Sequence, residues 1–435
     1  MFENRAKLKH NILISISMKL FSALGLFVIS VLLAKGLGAE KFGMYAVILS
    51  AAAVVSIPLS SGLPNLLTRE TAISIESDKY ELWKGLLLFA FFLVIIVSLI
   101  GGIGVLIYYF SSTTKNNNNF FYFVIVASII PLMGLDRLRG SVMQGLGSPI
   151  ISQVPESIIR PYSYLVFIFV GLLFYKELTL SYAFIAYIIS VFISFIVGSI
   201  LLNRMIAKRL NTIKPKFKIK YWFWSLFSLG GLSASQILIG NADILILGWL
   251  TSAKEVGVYK VALQGLALMV TAQTGIGAVL ISKLSQAFAR NDLKDIIYTS
   301  DISVLIFTIM ITIAFIAIYL FGIDVVNLFF GLEYSFAIKI LLILALGQIV
   351  NATTGPVIIL LIMSKNEVSA LISFLLGGFT MFFLAILLIP SYGTIGMAFA
   401  SSLGVLISSI AMAINTYKKL GFDPTIIGAF RRFMV

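Results

Sequence analysis

The chain of 435 residues contains no cysteine and a single histidine, His10. The first absence excludes disulfides and thiolate metal sites, and the second excludes most imidazole-based zinc and acid/base constellations. Charge is scarce too: Asp, Glu, Lys and Arg make up 11% of residues, against about 25% in ordinary soluble domains. No phosphate-binding loop or other nucleotide motif occurs. No metal and no cofactor is expected, and side-chain chemistry is poorly supplied. What fills the chain instead is apolar, with 60% hydrophobic residues and a mean hydropathy of +1.05. Such a chain is solvated by membrane lipid. Its net charge of +14 is parcelled between apolar runs rather than gathered on a soluble face, which argues against nucleic acid as a partner.

The largest basic block runs from Asn203 to Lys220 and carries seven Lys and Arg residues without a carboxylate. It lies near the midpoint between two arrays of apolar segments, and the positive-inside rule holds such a linker in the cytoplasm. Six helical spans are expected before it, at about Ile12–Ala34, Gly43–Thr68, Leu82–Phe110, Phe120–Gln144, Pro155–Tyr175 and Leu178–Leu202. Six more follow, at about Trp222–Leu247, Gly257–Ile281, Ile297–Phe321, Phe336–Met363, Val368–Ile389 and Ile395–Thr416. Each is near the ~20 residues that cross a bilayer. The first run is too long for a signal-peptide core and is expected to remain as a helix. The expected fold is thus an all-α integral membrane protein of about twelve transmembrane helices. Its expected domains are an N-terminal six-helix lobe (1–202), a basic cytoplasmic linker (203–220), a C-terminal six-helix lobe (221–416) and a basic cytoplasmic tail (417–435). Alternating the spans through the membrane puts 23 basic residues on the side of the linker. Only five fall on the other side: Lys35, Lys41, Lys115, Lys176 and Lys254. Lys19, Arg160, Lys260 and Lys339 lie within spans. The expected location is the cytoplasmic (inner) membrane, multi-pass, with both termini in the cytoplasm.

The two arrays resemble each other. An offset of 214 residues aligns Leu33, Ala39, Gly43, Tyr45 and Val47 with Leu247, Ala253, Gly257, Tyr259 and Val261, and sets Arg69 opposite Lys283. Six spans separate the copies, so the two lobes are expected to run parallel about a pseudo-two-fold axis along the membrane normal and to face each other across a central cavity.

Leu-Gly-x-x-x-Phe-Gly-x-Tyr from Leu37 to Tyr45, Gln-Gly-Leu-Gly from Gln144 to Gly147, and Pro155-Glu156-x-x-x-Arg160-Pro161 make the chain resemble bacterial polysaccharide flippases. These belong to the multidrug, oligosaccharidyl-lipid and polysaccharide exporter superfamily. The resemblance implies translocation of an undecaprenyl-pyrophosphate-linked oligosaccharide from the inner to the outer leaflet during surface polysaccharide biosynthesis, of the O-antigen type. It also implies alternating access, a lipid-linked oligosaccharide as ligand and polysaccharide polymerase machinery as a partner. A drug or cation antiporter on the same scaffold is the alternative, and a membrane glycan polymerase is a third reading. An antiporter for cations calls for carboxylates along its cavity, whereas the ionisable residues inside these spans are mostly basic. A polymerase calls for a sizeable outer loop with acid/base groups, and none is present.

A charge near the middle of a membrane helix costs about 2.5–3.5 kcal/mol on insertion scales, so each such residue needs a reason. Lys19 sits roughly 10 Å into the first span, Arg160 about as far into the fifth, and Arg137 and Arg139 occupy the last turns of the fourth. Together they form a candidate substrate-binding patch, since guanidinium forks suit the oxygen pairs of a diphosphate. The structural alternative is self-neutralisation, Glu156 with Arg160 and Asp136 with Arg139, while Lys19 snorkels to the interface. Asp243 and Lys260 are candidates either for an interhelical pair that fastens the second lobe or for ion coupling, the latter with Asn241 and Gln236. Asp301 and Lys339 are expected at the interface, and Tyr221, Trp222 and Trp224 as aromatic belt anchors.

The orientation is testable in a chain free of native thiols. A single cysteine at Asn117 should react with an impermeant thiol reagent in intact cells, and one at Asn211 only after the membrane is opened. The reverse pattern would overturn the assignment.

Overall fold

A computed structural model describes residues 2–111, 117–175, 178–206 and 213–434. Lys115, Lys176, Lys208, Arg209 and Asn211 lie outside the described residues. The helices are α1 (Phe2–Val55), α2 (Ile57–Ser60), α3 (Gly62–Glu76), α4 (Tyr80–Ser111), α5 (Asn117–Gly145), α6 (Pro149–Val154), α7 (Arg160–Phe174) and α8 (Leu180–Ile206). They continue as α9 (Ile219–Leu250), α10 (Ala253–Ala289), α11 (Leu293–Phe329), α12 (Ala337–Thr353), α13 (Val357–Met363), α14 (Glu367–Leu420) and α15 (Ile426–Met434). There is no strand among the described residues. That is the physical expectation in hydrocarbon, where a helix satisfies every backbone N–H and C=O within its own segment.

The expected spans fall on helices, with the first two and the last two joined by sharp turns in place of loops and with two further breaks inside spans. α1 runs through the first span and into the second, turning at Gly38 (φ 73°, ψ 167°), and α14 joins the last two through Gly393 (φ 56°, ψ −133°). The second span breaks at Ser56 and Ser61 around Pro58, and the tenth bends by 45° between α12 and α13. Among the described residues seven helices are long and apolar enough to cross a membrane, or eight if that bent pair is one span.

The chain forms two compact units. One comprises Met1–Leu37 and Val47–Asn241; the other comprises Gly38–Ala46 and Ala242–Val435. The passage from one to the other in the second half lies inside α9, between Asn241 and Ala242. The last part of the basic segment belongs to the first unit. The Lys216 N–H donates to Glu81 O (2.9 Å), its ammonium pairs with the Glu81 carboxylate, and the absent side chain of Gly85 leaves room for Lys216 O.

In the second unit the two copies of the repeat touch each other reciprocally. A methyl group at Gly43 would lie 1.8 Å from Ala253 O, and one at Gly257 would lie 2.1 Å from Ala39 O. Ala39 and Gly43 correspond to Ala253 and Gly257 at the same offset, so this contact has its own local two-fold character. The break before it is matched as well. Gly38, where α1 turns, corresponds to Ser252, whose extended backbone and side chain cap α10 by accepting from Glu255 N–H. Small residues here permit the backbone contact that drives helix association where lipid offers no hydrophobic gain.

The end of the chain is latched. Asp301 is buried on α11 rather than interfacial, and Arg432 of α15 donates to it through Nε (2.8 Å to Oδ2) and Nη2. The same guanidinium donates to Asp423 O (2.6 Å) and lies over the Phe422 ring. Its hydrogen bonding to the Asp301 carboxylate holds the Arg432 pKa above its ordinary value, against the opposing effect of burial. Lys339 is exposed and sits over the Phe336 ring.

Gly43→Ala or Gly257→Ala must force apart two backbones, and overpacking of this kind costs about 1–3 kcal/mol or more. Either variant should lower the thermal midpoint of the detergent-purified protein by several degrees. Gly240→Ala, whose added methyl would meet nothing within 4 Å, should leave it unchanged or raised. Equal behaviour of all three would contradict the reciprocal contact.

Candidate functional site

Two of the family-like motifs fold into one continuous piece of the first unit. Gln144-Gly-Leu-Gly ends α5: Gly147 takes φ 80°, and Ser148 N–H returns to Met143 O (3.1 Å). A left-handed residue is tolerated there because glycine has no Cβ. Pro149 then opens α6, and Pro155–Ile159 form a π-turn before α7. Pro161 has no N–H for Ser157 O and its ring crowds that carbonyl, which favours a widened turn just upstream. Within the turn Pro155 O accepts from Arg160 N–H and from Ser194 Oγ of α8 (2.8 Å).

The turn brings three arginines and two carboxylates together. Arg139 is almost fully buried. Its Nη1 donates to Ser194 O (2.8 Å) and Phe195 O (3.2 Å), and Nη2 pairs with Asp136. The guanidinium fits a slot over Gly198, where an added methyl would lie 2.0 Å from Nη1. Arg139 thus pins α5 to α8. Arg137 and Arg160 behave differently. Both reach the same oxygen, Glu156 Oε1, at 3.2 and 3.4 Å, while Arg160 stands 3.8 Å from the already paired Asp136. Their side chains are 45% and 23% exposed, against 3% for Arg139. After Asp136 is assigned to Arg139, one carboxylate faces two guanidiniums and a positive charge is left over on the accessible side.

Lys19 does not join this cluster. It is exposed on α1 and has no ion-pair partner among the described residues. Its helix nevertheless packs at the level of Arg160: Phe21 stacks on Tyr162 at 4.5 Å, and Tyr162 Oη donates to Phe21 O (2.9 Å).

In the second unit Asp243 is buried near the end of α9 and accepts from Ile244 N–H (2.8 Å). Tyr259 and Lys260 flank it, but Asp243 and Lys260 form no direct ion pair, and Tyr259 Oη lies 3.3 Å from Ser401 Oγ. Asn241 is turned back on its own helix, donating to Ile237 O (2.8 Å). No group of His, Asp or Glu among the described residues is arranged to hold a metal.

The aromatics at the start of α9 divide. Trp222 is a core residue, 2% exposed and 5.5 Å from the Phe89 ring, so it is no belt anchor; Trp224 is 64% exposed. Sequence reasoning could not find the Gly198 slot or the Ser194 partner, because each depends on helices far apart in the chain; for the π-turn, Pro161 was a local signal.

A family model described as "Polysaccharide biosynthesis protein" matches residues 8–281. The chain is 24% identical over 228 residues to the "Probable low-salt glycan biosynthesis flippase Agl15" of Haloferax volcanii, covering 49% of this chain and 46% of that protein. It therefore spans about half the length of that relative. Its fold is similar to that of an inward-facing multidrug resistance MATE family transporter of the MOP superfamily, with a TM-score of 0.73 and 13% identity over 92% of this chain and 94% of that one. It is similar also to the lipid II flippase MurJ in an inward closed conformation, with a TM-score of 0.72 and 16% identity over 97% and 92% of the two chains. The all-α membrane fold and the family resemblance read from the motifs are both borne out. With well over half its length matched, the chain belongs to the polysaccharide biosynthesis protein family.

Proposed function

We propose that this protein is a flippase that moves an undecaprenyl-pyrophosphate-linked oligosaccharide from the cytoplasmic to the outer leaflet of the cytoplasmic membrane, with both termini in the cytoplasm. The observation that carries the reading is the sharing of a single Glu156 oxygen by Arg137 and Arg160. A diphosphate offers each guanidinium its own pair of oxygens, a geometry that arginine matches better than lysine does. Arg160 and Arg137 are the substrate contacts in this proposal, Arg139 sets their position, and Lys19 meets the headgroup from α1. The family, a relative named as a probable glycan biosynthesis flippase and a solved lipid II flippase of the same fold support it. The excess of cations in the cluster weighs against export of cationic drugs. An O-antigen type of substrate and contact with a polymerase belong to the same proposal.

Arg160→Ala should abolish glycan export with protein level retained and leave lipid-linked oligosaccharide trapped on the cytoplasmic face. Arg160→Lys should restore only part of it, because a point charge replaces a two-pronged donor. Export by the Glu156→Gln, Arg160→Gln double variant at the parental rate would make Arg160 structural and remove the substrate role.

A driving force follows from charge alone. Moving one charge through 100 mV is worth about 2.3 kcal/mol, so a diphosphate with two negative charges leaving an inside-negative cell gains roughly twice that. In proteoliposomes a potassium diffusion potential should accelerate flipping towards the positive side. Asp243, buried without an ion pair, favours ion coupling as a second reading. Rates that ignore voltage but require a proton or sodium gradient would select it.

A further inference from the structure

The first turns of α9 carry a groove of about 550 Å³ lined by Lys220, Tyr221, Trp224, Ser225 and Ser228. Positions 221, 224, 225 and 228 fall on one helical face. The opposite face is the anchored one. Trp222 is buried against Phe89, Leu226 O is packed where Gly62 has no side chain, and Asn65 Nδ2 donates to Leu229 O (3.1 Å).

Three features distinguish the groove from a face merely greased for lipid. First, Tyr221 is held in place: Arg69 Nη2 donates to its hydroxyl (3.0 Å) and lies against the ring, and the hydroxyl donates to Glu70 Oε1 (3.3 Å). Second, the hydroxyls of Ser225 and Ser228 have no hydrogen-bond partner among the described residues. Many helical serines and threonines elsewhere, such as Ser190, Ser235 and Thr308, bond back to the carbonyl four residues earlier. The hydroxyls of Ser30, Ser98 and Ser300, also unpartnered among the described residues, are sealed inside the protein, whereas Ser228 is exposed and Ser225 half-buried. Third, Lys220 puts a cation at the rim, while Arg69 behind Tyr221 is paired with Glu70 (3.1 Å). A flat aromatic face, free hydroxyls beside it and a cation at its edge match a sugar ring next to a phosphate. The ring's C–H face packs on Trp224, its hydroxyls meet Ser225 and Ser228, and the phosphate lies towards Lys220. Acyl chains have no use for the hydroxyls.

We propose that this groove binds saccharide, namely the sugars nearest the diphosphate of the lipid-linked substrate, and so reads the glycan while the arginine cluster holds the phosphates. The assignment rests on the flippase reading above. The test uses the full chain in nanodiscs of phosphatidylethanolamine and phosphatidylglycerol with two probes, a short-chain prenyl diphosphate bearing a disaccharide and the same prenyl diphosphate without sugar. The parent should bind the sugar-bearing probe about tenfold more tightly. Trp224→Ala should erase that preference while leaving affinity for the bare probe unchanged, Trp224→Phe should keep most of it, and Ser225→Ala with Ser228→Ala should reduce it. Trp224 is largely exposed, so these variants should fold, which an unchanged thermal midpoint checks. Equal binding of the two probes by the parent, or a preference that survives Trp224→Ala, would overturn the groove assignment alone. Arg160→Gln should weaken both probes; if it weakens neither, the flippase reading loses its site. If Trp224→Ala leaves the sugar preference intact and instead reduces retention of phosphatidylglycerol, the groove holds a phospholipid headgroup and the proposal fails.

Discussion

Inside hydrocarbon a polar group has no water to turn to, so its partners must come from the protein itself. The backbone meets that constraint by being helical through the described spans except at their short breaks. Hydroxyls meet it locally, as when Ser303 and Thr416 donate to the carbonyls of Thr299 and Met412. Charges meet it across helices: Arg139 divides its donors between Asp136, Ser194 and Phe195, and Asp301 is closed by Arg432 from the end of the chain. Against this background, incomplete pairing becomes informative. Arg137 and Arg160 share one carboxylate oxygen, and Ser225 and Ser228 are free among the described residues. Ser30, Ser98 and Ser300 also lack partners among those residues but are sealed inside the protein, whereas the two arginines and the two α9 serines are open to a ligand that would supply what the fold leaves open.

Glycine serves the same constraint by letting main chain approach main chain. Gly43 and Gly257 admit each other's carbonyl neighbours, Gly62 admits Leu226 O, and Gly198 admits a guanidinium rather than a backbone. A methyl at any of them would occupy space already taken. Because lipid provides no hydrophobic force between helices, such close contacts carry association that a soluble protein would draw from its core.

The two candidate sites of the first unit share a mount. On α3, Thr68 Oγ1 donates to Ser141 O of α5 (3.2 Å), one turn beyond Arg137, while the next residue, Arg69, holds Tyr221 of α9. Adjacent residues on one helix thus grip the helix that carries the arginine cluster and the helix that carries the groove. A displacement of α3 would be felt at both.

Much of this was legible in the residues. Composition and the spacing of apolar runs are enough for an all-α membrane fold, because a bilayer imposes a fixed length and forbids unpaired backbone. The offset of 214 residues was readable as well, and its meaning became concrete in the contact of Ala39 and Gly43 with Ala253 and Gly257. The chain's rare intramembrane charges were visible as candidates, since each is costly enough to need a purpose. Which of them were already committed was not. Arg137 and Arg139 are two residues apart with the same chemistry, yet one is exposed and the other sealed against Gly198 and Ser194. Trp222 and Trp224 divide in the same way, one into the core beside Phe89 and the other into an open groove. The sequence by itself determined what kind of solvent this protein lives in and which groups are expensive there. Only the tertiary structure decided which of those groups have partners, because the partners lie on helices tens of residues away and are chosen by packing.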